Sequence, residues 1–152
     1  MELIELTGFF TVDYGAPSPT IISNDNKLFI IFYSAEAVRN DEIVVVSFKF
    51  CTTYRFGSPS NETIQGHPYY ALGLRSGGFY ELKNSDLIKQ LQSVASIHPN
   101  HNAARWQKCR HFILTFHDNM FECVAEDFEV RFDKKSIHDQ ALLILEEHFK
   151  RP

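Results

Sequence analysis

The chain has 152 residues, 44% of them hydrophobic and 22% charged, with a formal net charge of −4. That length fits one domain with a sizeable core, and the composition is that of an ordinary soluble globular protein. The acidic balance argues against nonspecific nucleic-acid binding, which needs clustered Lys and Arg to neutralise phosphates, and the densest basic patch, Arg105 to Arg110, is too short to hold a duplex.

In chain order, Thr7 to Tyr14 carries Phe9, Phe10, Val12 and Tyr14 and reads as a first strand, broken by Gly15-Ala16-Pro17-Ser18-Pro19. A short strand at 20–23 and a turn at Asn24-Asp25-Asn26 follow. Lys27 to Ser34 is almost continuously apolar, the pattern of a central strand covered on both faces. Glu42 to Tyr54 reads as another long strand. Arg55 to Leu74 dissolves into Gly, Pro, Ser and Asn with Phe56, Tyr69 and Tyr70 interspersed; a loop of about 20 residues in a compact domain is often functional, or else is a surface loop pinned by its aromatics. Gly77 to Leu82 reads as a short strand. Asn84 or Ser85 caps a helix with Leu87, Ile88, Leu91, Val94 and Ala95 at helical spacing, and His98-Pro99 ends it. Ala103 to Cys109 adds a helical turn.

Arg110 to Glu126 is the most informative stretch. It reads as a β-hairpin turning at Asp118-Asn119, with Phe112, Leu114, Phe116, Phe121, Cys123 and Ala125 on one face and His111, Ile113, Thr115, His117, Glu122, Val124 and Glu126 on the other. A two-residue turn sets His111 opposite Glu126 and brings His117 within diagonal reach of Glu122. Phe128, Val130 and Phe132 extend the sheet. Ser136 caps a final helix with Asp139 three residues on, its buried stripe being Ile137, Ala141, Leu142, Ile144, Leu145 and Phe149. The expected architecture is one α+β domain over residues 1–152. It holds a mainly antiparallel sheet of six or seven strands with two principal helices packed on it, the 14 phenylalanines filling the space between.

The polar hairpin face is the nearest approach to a chemical site, and His111, His117, Glu122 and Glu126 are its catalytic candidates. A His–carboxylate pair fixes one imidazole tautomer and raises its basicity, as general acid–base chemistry requires; two His and a Glu are also a ligand set for a divalent metal; and the same groups can simply stabilise a sheet. His98 and His101 form a second His pair without supporting Cys or acidic residues, so no metal is expected. The sequences around Gly66 and Gly73 to Gly78 are a phosphate cradle or plain turns, but lack the strand-to-helix spacing of a nucleotide fingerprint. Candidate binding residues are His67, Tyr69, Tyr70, Trp106 and Arg110, Trp and Arg being frequent interface anchors; the plainer role for Trp106 is packing beneath a loop. No GxSxG motif occurs, and the three cysteines show no CxxC spacing, which points away from a disulfide framework or zinc module. No run approaches the roughly 20 apolar residues of a membrane span, and Met1 to Glu5 lacks the features of a signal peptide, so Asn61-Glu62-Thr63 is read as a chance sequon. The expected setting is the cytoplasm, with no cofactor and no membrane association.

Phe56-Gly57 with Pro59, Gly66-His67-Pro68, Gly73-Leu74, Tyr80-Glu81, Asn84-Ser85, His98-Pro99, Trp106 and the block His111 to Ala125 together resemble a family of short, uncharacterised bacterial proteins. The likeness covers nearly half the chain and departs from the family pattern at Asp86-Leu87, where a Trp is frequent. It implies a bacterial source and a single small domain, and it transfers no catalytic role. The expected function is binding to another protein, in the manner of an immunity protein or antitoxin that occludes its partner. The rival expectations are a small hydrolase or nuclease using the hairpin His and Glu residues, and a Phe-lined pocket for a small ligand.

Overall fold

A computed structural model describes residues 1–36 and 40–151. Its nine strands are β1 (Glu2–Glu5), β2 (Thr20–Ser23), β3 (Leu28–Tyr33), β4 (Ile43–Lys49), β5 (Thr53–Gly57), β6 (Phe79–Lys83), β7 (Arg110–Thr115), β8 (Met120–Ala125) and β9 (Asp127–Asp133). Its helices are α1 (Asp86–Ala95), α2 (Ala103–Trp106) and α3 (Ile137–His148), with two 3-10 turns at Ile64–Gly66 and Pro68–Leu72. The α+β reading therefore holds, but the strands form two antiparallel sheets among the described residues, in the orders β1-β6-β7-β8-β5 and β2-β3-β4-β9.

The sheets face each other. The core between them unites Leu28, Ile30 and Phe32 of β3 and Val44, Val46 and Phe48 of β4 with Phe79, Phe112, Leu114, Phe116, Phe121, Cys123 and Ala125 of the other sheet. Eight of the 14 phenylalanines, Phe10 and Phe128 among them, thus lie in or against a sheet-to-sheet interface, where composition led us to expect a sheet-to-helix one. The six apolar hairpin residues all point into it, as their alternation requires. β3 is covered on its second face too, because α3 lays Ile137, Ala141, Ile144 and Phe149 over Phe29, Ile31, Ile43 and Val45. This stripe is narrower than expected. Leu142 and Leu145 are exposed, since each sits about 100° around the helix from Ala141 or Ile144.

Two expected strands are corrected. Residues 7–14 are not a strand; Gly8 takes a φ of +84°, and the segment crosses from one sheet to the other while Phe10 and Val12 pack against the open end of the core. The long strand at 42–54 is two strands in different sheets. Its break lies at Phe50 to Thr52, where Phe50 adopts a left-handed φ of 53° and the chain passes between layers.

Candidate functional site

The outer face of the five-stranded sheet carries the hairpin's polar residues. It is roofed by the segment from Ile64 to Leu74, which packs Ile64, Leu74, Tyr69 and Tyr70 over Tyr80, Leu82, Ile113 and Met120. The roof is stitched to the hairpin. Thr115 Oγ1 donates to Arg75 O at 2.6 Å and accepts from Gly78 N at 2.9 Å, and Ser76 Oγ donates to Phe116 O at 3.1 Å. A Cβ added at Gly78 would stand 2.5 Å from the Tyr80 ring, so a larger residue there requires that ring to shift. The Gly73 to Gly78 stretch is accordingly a turn closed on the hairpin.

The hairpin loop has four residues, with Phe116 N donating to Asn119 O at 2.9 Å and Thr115 opposite Met120. Phe116, the first residue of the loop, is buried against Phe32 at 5.2 Å between centroids. The register moves by two, so every residue keeps its face but changes its partners. The expected His111–Glu126 and His117–Glu122 pairs do not form. His111 stands opposite Val124 and reaches Glu122 diagonally, Nε2 to Oε2 at 2.9 Å. His117 pairs with Asp118 at the loop tip, and Glu126 sits at the kink between β8 and β9, where its N–H donates to Lys49 O.

On its other side His111 meets Ser85, Oγ to Nδ1 at 2.7 Å. A carboxylate only accepts, so in the neutral ring Nε2 carries the proton and Nδ1 accepts from the Ser85 hydroxyl. Ser85 Oγ in turn accepts from Ile88 N at 3.3 Å and caps α1. Arg55 of β5 closes on Glu122 Oε1 from the solvent side. Burial pushes the Glu122 carboxyl up, but the His111 hydrogen bond, reinforced by Arg55 and His67, outweighs it and leaves the pKa below the ordinary value. His67 accepts from Tyr69 N at 3.1 Å, and Tyr69 sets its ring edge-on to His111 at 6.3 Å. Burial lowers the His67 pKa, Glu122 raising it and Arg55 lowering it in lesser measure; His67 therefore belongs to the same electrostatic cluster. His111 is 0% exposed and Ser85 3%, so the chain Ser85–His111–Glu122 runs beneath the surface with its polar atoms satisfied, and only its Arg55–Glu122 end faces water. Its evident chemical effect is to fasten the start of α1 to the sheet.

Beside that end, Thr53, Tyr54, Arg55 and Glu122 on the sheet and Leu87 and Leu91 on α1 line a groove of about 330 Å³. Residues 87, 91 and 94 follow one helical stripe. The stripe is unfinished: no α1 residue is fully buried among the described residues, Val94 is 72% exposed, and Ile97 just past the helix is 88% exposed. Sequence reasoning placed the stripe on a helix packed on the sheet, and it missed Arg55, which alternation with Tyr54 and Phe56 would have put on a strand.

The remaining candidates lie elsewhere. Tyr70 is held under the Arg75 guanidinium, 4.0 Å from its centroid. Trp106 is half-buried and shares a shallow depression with His98 and His101, and no group of three His, Cys, Asp or Glu able to hold a metal occurs among the described residues. Arg110 is committed to Glu81 through two hydrogen bonds, Nε to Oε1 at 2.9 Å and Nη2 to Oε2 at 2.7 Å, above the Phe112 ring. Burial pushes Glu81 up, but Arg110 and Lys83 more than offset this and lower its pKa below the ordinary 4.5. A lowered folded-state pKa adds stability at higher pH that is lost as pH falls below the ordinary carboxylate value. Guanidinium unfolding at pH 7 and pH 3 should therefore show a larger acid loss in the native chain than in Glu81→Gln, by roughly 1.5–3 kcal/mol, the worth of a hydrogen bond to a charged group. Equal losses would remove Glu81 from the account of acid sensitivity.

No helix among the described residues is long and apolar enough to cross a membrane. The fold and site define a two-sheet α+β domain whose outer face carries a helix-walled groove. Comparison with known protein families, curated proteins and solved structures finds no match.

Proposed function

We propose that this protein is a binding module of the bacterial cytoplasm that engages another protein through the groove between β5 and α1. The observation that carries this reading is the unfinished apolar stripe of α1, half-covered at Leu87 and Leu91 and open at Val94. An amphipathic helix normally completes such a stripe within its own fold, and a contiguous exposed apolar strip rimmed by polar groups favours a partner. Arg55 at the groove mouth, with the carboxylate of Glu122 behind it, supplies the polar anchor that interfaces commonly use. An immunity- or antitoxin-like role, in which the module occludes its partner's active site, is the specific form of this reading. A small hydrolase or nuclease is the second reading, favoured by the approach of His67 to the His111–Glu122 pair. Against it stands the burial of Ser85 and His111, which keeps the hydroxyl and both ring nitrogens from a substrate.

Capture from the lysate of the source cell tests the proposal when wild type is run beside a Val94→Glu/Ile97→Glu variant. Both positions are exposed, so the variant should unfold within about 0.5 kcal/mol of wild type. A stoichiometric protein partner held by wild type, and at least about tenfold more weakly by the variant, is expected, tenfold being about 1.4 kcal/mol. A partner bound equally by both overturns the assigned surface. No partner, with a divalent metal bound by wild type and lost in His67→Ala, transfers the site to the hydrolase reading.

A further inference from the structure

Cys51 lies in the bend Phe50 to Thr52 that carries the chain from β4 to β5. Thr52 N donates to Val124 O at 2.8 Å, which anchors the bend against β8, and the bend packs Cys51 against the inter-sheet core that contains Cys123. The two sulfurs differ sharply in access. Cys123 is 0% exposed. Cys51 is half-buried and lines an open, polar-walled surface cavity of about 280 Å³ with Ser23, Asn24, Lys27, Thr53 and Tyr54. Its thiol donates to Thr53 O at 3.3 Å.

The two thiols are also shifted in opposite directions. The neighbouring Cys123 thiol holds the Cys51 pKa below its ordinary value, by donating to the thiolate; burial opposes this and the Thr53 backbone assists. Burial pushes Cys123 well above the ordinary value, and Cys51 adds to the rise. Cys109, the third cysteine, is raised by burial first and by Glu126 second. An accessible sulfur with a lowered pKa and a second thiol behind it is the arrangement in which oxidation is selective and reversible.

We propose that Cys51 and Cys123 form a peroxide-reactive pair, Cys51 meeting the oxidant in the open cavity and Cys123 resolving it as an intramolecular disulfide. The Cys51 sulfur attacks one oxygen of hydrogen peroxide, the O–O bond breaks, and a sulfenic acid forms while the departing hydroxide takes a proton to become water. Cys123 gives up its proton and attacks the sulfenic sulfur; the S–O bond breaks and the second oxygen leaves as water. Two thiols and one peroxide thus yield one disulfide and two waters, the sulfurs losing the two electrons that peroxide gains. The new bond would tie the root of β5 to β8. This inference stands apart from the binding reading, since it concerns the inner side of the sheet and needs no partner.

Trypsin places Cys51 in peptide 50–55 and Cys123 in peptide 111–131, so a linked pair is directly visible by mass spectrometry after hydrogen peroxide treatment of the folded full chain. Free thiols should fall from three to one in wild type, and a reductant should restore them. Cys109→Ser should form the same link, and Cys51→Ser should lose thiols at least about tenfold more slowly, as the loss of the thiolate-prone sulfur dictates. Cys123→Ser should stop at a Cys51 sulfenic acid trapped by dimedone. Retention of all three thiols, a link involving Cys109, or equal oxidation rates in wild type and Cys51→Ser overturns the proposal.

Discussion

His111→Ala is expected to destabilise the fold by about 3–5 kcal/mol, the sum of unsatisfied buried polar groups and a residual cavity. Three losses coincide. The Ser85 hydroxyl loses its acceptor, Glu122 Oε2 loses its donor, and a cavity opens where the ring was fully enclosed. An unpaired buried polar group alone costs about 1–3 kcal/mol. Arg55→Ala is the contrast: its side chain is 69% exposed, so its pairing with Glu122 should be worth no more than about 1 kcal/mol. For a chain of this size the midpoint of thermal unfolding moves about 2–4 °C per kcal/mol, so His111→Ala should fall by about 10 °C and Arg55→Ala by only a few degrees. Near-ultraviolet fluorescence or circular-dichroism melts read both. Equal, small shifts would show that the buried chain is not what fastens α1.

That network also shows where the sequence was readable and where it was not. Alternation fixed which hairpin residues share a face, because a face depends only on parity. It did not fix which residues touch, because partners depend on the loop length, and two-residue and four-residue loops share the same parity. A four-residue loop shifts the register by two, leaving both faces intact while exchanging Glu126 for Glu122 beside His111. Ser85 was legible as a helix cap, but its second role against His111, 26 positions along the chain, depends on how β6, α1 and β7 follow one another in space. Residues 42–54 misled for another reason. Their alternation runs through Phe50 to Thr52 unbroken, and only a left-handed Phe50, a conformation sparsely used outside glycine, divides one apparent strand between two sheets. Residues 7–14 share the strand pattern because an irregular segment closing the end of a sandwich must also bury alternate side chains.

Phe112→Ala should be among the most damaging single truncations in the chain. The ring is 0% exposed and lies where the two sheets meet. It approaches Phe48 of β4 at 5.6 Å, stacks on Phe79 of β6 at 6.0 Å, and receives the edge of Phe128 of β9 at 5.2 Å. Truncating a buried Phe typically costs about 3–5 kcal/mol in lost transfer energy and residual cavity. Its position argues for the upper part of that range, because aromatic pairs add about 0.5–1.5 kcal/mol beyond their area and strands from both sheets cannot all move inward to fill one hole. Arg110 loses its platform as well, its guanidinium carbon lying 4.7 Å from the Phe112 centroid, so the clasp on Glu81 should loosen with the core. The expected fall in melting midpoint is about 10–20 °C, whereas Phe50→Ala, at a side chain left 68% exposed, should stay within about 0.5 kcal/mol of wild type. Phe112→Leu separates the two contributions, since it refills most of the cavity while removing the ring contacts and the platform under Arg110. A leucine variant as stable as wild type would assign the site to volume alone; one that also loses the acid sensitivity conferred by Glu81 would show that the ring, through Arg110, holds the ion pair at the mouth of the sandwich.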